Sequence, residues 1–433
     1  MAEWSIMQIH IVKAGDTMAS IANQYGVSAE RIIIENELPN PDNLLVGQSI
    51  GIRTPNTVYT VAAGDTVFGI AQRYGVEPNL IYQNNPQVAG RQGLVPGEVI
   101  VITYANEEKI DTVVTNGYAY PFIDRAVLRK TLPFLTYLSL FTYGFTPTGE
   151  LVPIEDTELI AIAKEFGVAP IMVLAPMDAQ GNFSSESAHA MFTNAEAQTN
   201  LINNLVTALQ AKGYAGIDID FEFILPEDRQ LFINFVSAVN TALNNIGLIT
   251  LVALAPKTSG EMKGLLYEAH DYEAIGAIAD EVLLMTYEWG YTYGPPMATS
   301  PINNMRRVLQ YGVSVIDPDK ILMGTPNYAY DWPLPFVQGT TSAQSLGNQE
   351  AIIRAASYGV PIQFDEEAQS PFYNYTTAEG VAHVVWFDDV RSMNAKLRLI
   401  PEFNLNGSGV WQVMRYFPGL WMNMSSLFNI TKV

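Results

Sequence analysis

Three carboxylates alternate with large apolar residues in the segment GIDIDFEF, residues 216–223. In an extended strand, Asp218, Asp220 and Glu222 would share one face at intervals of roughly 6.5–7 Å. If that face is buried, desolvation and mutual repulsion raise at least one of the three pKa values. A carboxylic acid that is still protonated near neutral pH can donate a proton to a leaving oxygen. The segment therefore predicts general acid–base chemistry, with Glu222 at the carboxyl end of the strand as the acid.

Two other interpretations of the three carboxylates stay open on their spacing alone. A strand with one solvated face also alternates polar and apolar residues, and its acids would simply face water. Clustered carboxylates are also typical ligands of Mg²⁺. The sequence contains no glycine-rich phosphate loop to accompany such an ion, which disfavours a cation site.

The elements around this segment predict where its two faces point. It lies between helical patterns at 194–212 and 226–245, which indicates a parallel strand covered on both sides. Eight apolar runs alternate with helical patterns, which predicts an α/β fold, a (β/α)8 barrel with its chemistry at the carboxyl ends of the strands. The Ile and Phe side chains of the segment should then face the helices, and the acids should face the barrel interior. The expected strands are 112–120, 135–143, 169–175, 215–223, 248–254, 281–287, 320–325 and 408–413.

An internal repeat precedes the barrel. HIVKAGDTMASIANQYGV at 10–27 returns as YTVAAGDTVFGIAQRYGV at 59–76, and each copy closes with a strand-like tail. Each copy predicts a βααβ unit of about 45 residues, in which an Asp or Thr caps the first helix. The expected domains are the units at 8–53 and 57–103, a polar linker at 104–111, and the barrel at 112–433 with a small α+β insertion at 331–387 between its seventh and eighth strands.

Composition excludes several classes of protein. The chain has 44 acidic and 23 basic residues and a formal net charge of −21, which disfavours binding to nucleic acid or to anionic lipid. It has no cysteine, so disulfides, thiolate metal sites and a Cys nucleophile are excluded. The N-terminal residues lack the pattern of a signal peptide, and no window approaches the eighteen consecutive apolar residues of a membrane span.

The repeated units resemble LysM modules, on the AGDT-x₃-IA-x₂-YGV core that both copies contain. LysM modules bind glycans that contain N-acetylglucosamine, between the loop after the first strand and the loop before the last. The resemblance implies grooves at 16–18 with 43–46 and at 65–68 with 93–96. A helix cap is an equally good interpretation of the two Asp residues, and two weak sites in tandem favour a repetitive glycan. The candidate glycan contacts are Asp16, Thr17, Asp65 and Thr66.

Residues 112–433 resemble the family 18 glycoside hydrolases, the chitinase-like group. The fourth strand of that family carries DxxDxDxE, and AGIDIDFE at 215–222 matches at Asp218, Asp220 and Glu222, with Ala215 in place of the leading Asp. LLMTYEWG at 283–290 resembles the MxYD motif of the sixth strand. GVWQ at 409–412 resembles the eighth-strand segment whose Trp forms the floor under the sugar.

The resemblance implies a role for each matched residue. In this family the acetamido oxygen of the substrate is the nucleophile, and Glu222 protonates the glycosidic oxygen. Asp220 orients the acetamido group, Asp218 shares a proton with Asp220, and Tyr287 donates a hydrogen bond to the acetamido oxygen. Configuration is retained, and no cofactor or metal is required. The implied substrate-binding residues are Trp411, Met285, Glu288, Tyr328, Tyr118 and Gln412, with Asp331 and Trp332 as further residues of the cleft. Ordinary core packing is the alternative for Trp411.

LysM modules joined to a family 18 barrel resemble bacterial cell-wall glycosidases, notably the N-acetylglucosaminidases that degrade spore cortex. This implies a hydrolase that cuts after N-acetylglucosamine in peptidoglycan, located in the spore coat or cortex or in the cell wall. Cortex fragments are the first expected substrate and chitin is the second. A non-catalytic lectin on the same barrel is the alternative from another class, although such relatives usually lose the acid that Glu222 supplies. The sequence does not distinguish hydrolysis from transglycosylation or endo from exo action.

Overall fold

The computed structural model describes residues 7–105, 108–177 and 180–433. Residues 1–6, 178–179 and 106–107, the last of which belong to the predicted linker, lie outside the described residues. Among the residues that are described, no helix is both long enough and apolar enough to cross a membrane.

The two N-terminal units each contain an antiparallel strand pair and at least two helices. The first unit has strands Gln8–Ile11 and Ser49–Ile52 and helices Met18–Tyr25 and Ala29–Asn36. The second unit has strands Pro55–Thr60 and Val99–Tyr104 and helices Val67–Tyr74, Pro78–Asn84 and Pro86–Gly90. The short third helix departs from the predicted βααβ order. Each unit has its own small apolar core.

A buried polar contact joins the two units. Arg31 of the first unit donates from Nη2 to the backbone oxygen of Asn84 at 2.6 Å and to the hydroxyl of Tyr104 at 2.8 Å. The same guanidinium is paired with Glu35. Because a buried charge is costly unless it is paired and hydrogen-bonded, this network ties the two units together at a defined position.

Eight parallel strands close into a barrel, because the first strand pairs with both the second and the eighth. In chain order they are β1 (Asp111–Ala119), β2 (Tyr137–Phe145), β3 (Ala169–Leu174), β4 (Gly216–Ile219), β5 (Ile249–Leu254), β6 (Glu281–Leu284), β7 (Ile321–Pro326) and β8 (Gly407–Trp411). Short strands at Leu151–Val152 and Phe428–Ile430 extend the sheet. The predicted barrel is confirmed.

Helices cover the outside of the barrel. The α-helices are Arg125–Thr131, Thr157–Glu165, Ser185–Phe192, Ala195–Lys212, Arg229–Asn244, Tyr272–Ile278, Ile302–Val315, Val390–Leu397, Leu399–Glu402 and Pro418–Leu427, with 3₁₀ turns at Leu132–Phe134, Pro226–Asp228 and Pro318–Lys320. One large apolar cluster fills the space between these helices and the strands, and a second, smaller cluster fills the barrel interior.

The predicted small α+β insertion lies between β7 and β8. Its five-stranded antiparallel sheet has the order Gln344–Leu346, Ala329–Leu334, Ala382–Trp386, Ser370–Thr376 and Gln363–Asp365, and helix Asn348–Tyr358 packs on it. The insertion has its own apolar core.

Strand β4 is shorter than predicted. It ends at Ile219, although the backbone N–H of Asp220 still donates to Leu174 of β3 at 3.0 Å. Phe221 packs between the strands and the helices, with ring centroids 5.8 Å from Phe232 and 5.5 Å from Phe235. The prediction that Phe223 also faces the helices is wrong, since its backbone turns to a φ of 55° and its side chain is exposed.

Candidate active site

Asp218 lies inside the barrel with no exposed surface. Its Oδ2 accepts a hydrogen bond of 2.5 Å from the hydroxyl of Tyr118, on β1. Burial raises the pKa of Asp218 to about 6, against the opposite effect of the Tyr118 hydrogen bond. Because its carboxylate is partly protonated near neutral pH, Asp218 can hold or release a proton within the barrel.

Asp220 is the middle carboxylate and is 5% exposed. Burial raises its pKa well above the ordinary value, and the charges of Glu222 and Asp218 raise it further. Within the described part of the chain, Oδ1 of Asp220 and Oδ1 of Asp218 accept no hydrogen bond. Three acids in one row therefore do not all ionise together at neutral pH.

Glu222 stands beyond the end of β4, where it lines a cavity of about 310 Å³. Burial raises the pKa of Glu222 to about 7, and the negative charge of Glu288 acts in the same direction. An acid with a pKa near the working pH is suited to both donate and accept a proton during one reaction.

His270 fixes the backbone that carries Glu222. The backbone N–H of Ala255 donates to Nδ1 of His270 at 2.8 Å, so the ring proton is on Nε2, which donates to the carbonyl oxygen of Phe221 at 3.0 Å. Burial lowers the pKa of His270 to about 4, so the ring is neutral over the working range. Sequence reasoning missed this residue, because no local pattern relates position 270 to position 221.

The opposite wall of the cavity follows β6. Met285, Tyr287 and Glu288 line it, and burial raises the pKa of the Tyr287 hydroxyl well above its ordinary value, so it acts as a hydrogen-bond donor. The side chain of Glu288 faces the open cleft. Its Oε1 accepts hydrogen bonds from Tyr328 at 2.5 Å and from Tyr330 at 3.0 Å.

Aromatic rings form the floor of the cavity. Trp411, at the end of β8, is half-buried and lies 4.9 Å from Phe141 and 5.6 Å from Tyr118 between ring centroids. Tyr120 completes the group, with its ring 5.3 Å from that of Phe141. An apolar ring face is a suitable surface for the C–H face of a pyranose, whose hydroxyls point sideways.

The structure brings most of the predicted site residues together. The cavity is lined by Tyr118, Asp220, Glu222, Met285, Tyr287, Glu288 and Trp411, with Asp218 directly behind Tyr118. Tyr328 is not among the lining residues, but its hydroxyl donates a hydrogen bond to Glu288, which is. The side chain of Gln412 points elsewhere, since its Oε1 accepts from the backbone N–H of Met414 at 2.8 Å.

Two predicted cleft residues are wrong. Trp332 is fully buried in the insertion and donates from Nε1 to the carbonyl of Gly294 at 2.9 Å. Asp331 is 2% exposed and pairs with Arg354 and with His383. Both positions follow β7 in sequence, but they belong to the core of the inserted sheet.

Sequence reasoning also missed four lining residues. Phe141 and Leu283 come from strand interiors, Ala253 from β5, and Phe183 from the segment that follows β3. Apolar residues in predicted strands carry no signal that separates a cavity wall from the core, so only the closed barrel identifies them.

In the N-terminal units, threonine is the helix cap. Thr17 and Thr66 accept from the backbone N–H groups of Ser20 at 3.1 Å and Gly69 at 3.0 Å. Asp16 and Asp65 are not caps, because their Oδ2 atoms instead accept the backbone N–H three residues earlier, at 2.7 Å in both units. All four predicted residues thus have a structural role in the loop after the first strand.

A metal centre has no candidate ligand set in the described ranges, where no group of three or more His, Asp or Glu side chains could hold an ion.

Comparison with known families and relatives agrees with this geometry. The model of Glycosyl hydrolases family 18 matches residues 178–415, and that of the LysM domain matches residues 10–53 and 59–103. The cortical fragment-lytic enzyme of Bacillus subtilis (strain 168) is 38% identical over 432 residues, covering 98% of this chain and 99% of the relative. The enzyme of the same name from Bacillus cereus is 36% identical, covering 99% and 100%.

Solved structures match this fold over all or part of the chain. The spore cortex-lytic enzyme SleL of Bacillus megaterium QM B1551 is 39% identical, with a TM-score of 0.83 and 99% of each chain covered. A chitinase from Chromobacterium violaceum ATCC 12472 is 24% identical, with a TM-score of 0.68 over 73% of this chain and 98% of that one. The latter likeness shows the fold alone.

Proposed function

The chain belongs to family 18 of the glycosyl hydrolases and is a glycosidase with two LysM domains, and from this we propose that it cleaves peptidoglycan after N-acetylglucosamine, with spore cortex fragments as its substrate. The observation that supports it most is the buried row of acids ending at Glu222 in an aromatic cavity. Two full-length relatives that are named cortical fragment-lytic enzymes support the substrate class.

In the proposed reaction, Glu222 gives its proton to the oxygen that bridges two amino sugars. The bond between that oxygen and the anomeric carbon breaks, while the acetamido oxygen of the same sugar forms a new bond to the anomeric carbon. Water then attacks this carbon and passes a proton to Glu222, which restores the acid. Since two inversions occur at the anomeric carbon, the product keeps the β configuration.

Tyr287, Asp220 and Asp218 would prepare the acetamido group for attack. Tyr287 lines the cavity with Glu222, and its hydroxyl can donate a hydrogen bond to the acetamido oxygen. Asp220 lies between Asp218 and Glu222 in the row and can accept a hydrogen bond from the acetamido N–H while a proton is shared with Asp218. Holding the acetamido nucleophile in place lowers the activation barrier substantially, since effective molarities for well-oriented groups reach about 10⁵ M or more.

The LysM domains bind glycan, and we propose that they keep the barrel on its polymeric substrate. The full-length relatives that are named lytic enzymes favour an enzyme over the lectin alternative, and the presence of Glu222 agrees with it. The proposal places the protein at the spore or the cell wall, where its substrate occurs.

Mass spectrometry of the products tests the proposal. Purified cortex fragments should give products with intact N-acetylglucosamine at the reducing end, and should be cleaved with a higher kcat/KM than chitin oligomers. Muramic acid at the reducing ends would refute the bond, and a preference for chitin oligomers would refute the substrate. A de-N-acetylated glycan provides the mechanistic control, because it lacks the proposed nucleophile and should not be cleaved.

A further inference from the structure

A second cavity, of about 560 Å³, lies between the second LysM domain and the barrel. The LysM side contributes Thr66, Gln92 and Leu94, from the two loops that flank its groove. The barrel side contributes Arg129, Glu165 and Phe166, which come from helix Arg125–Thr131 and from the end of helix Thr157–Glu165. One wall of the LysM groove is therefore made by the other domain.

Direct contacts fix the distance between the two walls. Asn79 of the LysM domain donates from Nδ2 to the carbonyl oxygen of Phe166 at 2.9 Å, and Gln83 donates from Nε2 to that of Pro133 at 2.8 Å. The rings of Tyr82 and Phe166 lie 5.4 Å apart between centroids. A cavity with walls held in this way is preorganised, which reduces the cost of ordering on binding.

The first LysM domain makes a different contact with the rest of the chain. Its loop before the closing strand packs on the insertion, where the backbone N–H of Ile362 donates to the carbonyl oxygen of Val46 at 2.9 Å. The backbone of Ile362 also approaches Gly47 so closely that a Cβ there would lie 1.9 Å from its oxygen. The two LysM domains are thus not equivalent.

The barrel wall presents groups that suit a saccharide. Nη1 of Arg129 pairs with Oε2 of Glu165 at 2.7 Å, and both residues line the cavity. The side chain of Glu165 is 54% exposed, which leaves its carboxylate available to hydroxyl donors. Together with Leu94 and Tyr82, the lining combines apolar surface with a few polar groups, as is typical of ligand sites of about 300–1,000 Å³.

We propose that this cavity is a composite glycan site, in which Arg129 and Glu165 of the barrel bind the same N-acetylated amino-sugar segment that the second LysM domain holds. The inference rests on the glycan binding of the proposed function, and it adds the barrel residues as a second wall of the LysM groove. A strand bound there contacts both domains at once, so its position is fixed relative to the barrel instead of varying with a flexible tether.

Two neighbouring ion pairs allow a matched test in the full chain. Arg129 and Glu165 join the same two helices as Arg125 and Glu158, which pair at 2.7 Å but are not among the residues that line the cavity. In a Glu222→Gln background that prevents cleavage, Arg129→Gln and Glu165→Gln are compared with Arg125→Gln and Glu158→Gln for sedimentation with purified peptidoglycan and with insoluble chitin.

We expect the first two variants to bind polymer about five- to tenfold more weakly than the two controls, or about 1–1.4 kcal/mol. With Glu222 restored, all four should hydrolyse a short soluble substrate that occupies only the barrel cavity at the wild-type rate. Weakening on peptidoglycan alone would assign the site to muramic-containing strands, and weakening on both polymers to N-acetylglucosamine chains in general.

Equal polymer binding by all four variants would overturn the composite site and leave the proposed function untouched. A loss of short-substrate hydrolysis that parallels the loss of binding would overturn it as well, because the effect would then reach the barrel itself. Glu165 is more than half exposed, so Glu165→Gln keeps the test decisive if Arg129→Gln disturbs packing.

Discussion

Replacing Glu288 by Gln should move the alkaline limb of the pH profile of kcat/KM to lower pH. Glu222 must hold a proton to act as an acid, and its pKa of about 7 results from burial first and from the charge of Glu288 second. Glutamine keeps the size of the side chain and can still accept hydrogen bonds from Tyr328 and Tyr330. The substitution therefore removes the charge while it preserves the local contacts.

The size of the effect follows from the lowest and highest values that the pKa of Glu222 can take. Without the charge of Glu288, its pKa must fall between the ordinary 4.5 and the raised value of about 7. At pH 7, a pKa of about 7 leaves about half of the molecules protonated, and a pKa lower by about one unit leaves about one tenth. The variant should then lose about fivefold in kcat/KM at pH 7 if the pKa falls by about one unit and about fiftyfold if it falls by about two, and much less near pH 5.

The assay is kcat/KM for a soluble N-acetylglucosamine substrate between pH 4 and 9, in which the position of the limb is read separately from its height. Glu281→Gln is the control. Burial also raises the pKa of Glu281 to about 7, but its carboxylate lies at the start of β6 and contacts Tyr137 and Asn406. An alkaline limb that stays in place in Glu288→Gln, or that moves equally in both variants, would refute the electrostatic reasoning.

Three further predictions concern the ionisation of Asp218, the position of Glu222 and the effect of removing metal ions. Asp218→Asn should raise the free energy of unfolding above pH 7 by up to about 3 kcal/mol. The pKa of Asp218 is about 6 in the folded protein and 3.8 ordinarily, so the wild type loses stability as the pH rises from 3.8 to about 6. Chemical denaturation at pH 4 and pH 8 checks this prediction, and a gain in stability that persists at pH 4 would contradict it. His270→Ala should lower kcat by about 10- to 100-fold with little change in KM, since the Phe221 carbonyl loses its donor and Glu222 is misplaced; unchanged kcat would rule out this positioning role. Treatment with EDTA should leave activity unchanged, and a loss that Mg²⁺ restores would favour the cation site.

The alternation of acids and apolar residues in 216–223 predicted correctly which side chains face the barrel interior and which face the helices, as far as the strand extends. Asp218 and Asp220 face the barrel interior, and Ile217, Ile219 and Phe221 face the helices. The prediction failed at Phe223, because the chain leaves the sheet after Ile219 and the period of two no longer applies. Periodicity describes a regular element and cannot indicate where that element ends.

The sequence patterns could not predict contacts between segments that are distant along the chain. His270 meets Phe221 only because β4 and β5 are neighbours in the barrel, and Trp332 is buried only because the insertion folds as a separate sheet. The cavity between the second LysM domain and the barrel likewise depends on how two domains dock. The N-cap of helix Met18–Tyr25 was also ambiguous in the sequence, since Asp16 and Thr17 are both good capping residues. The geometry of the turn selects Thr17.

Glu222→Gln tests the central claim most directly, with turnover and glycan binding measured on the same preparation. If Glu222 is the proton donor, turnover of cortex fragments should fall by about 10²–10⁴-fold, while the affinity for the same fragments stays within about threefold, because glutamine keeps the shape of the cavity. Turnover within about tenfold of the wild type would contradict the assignment of the acid.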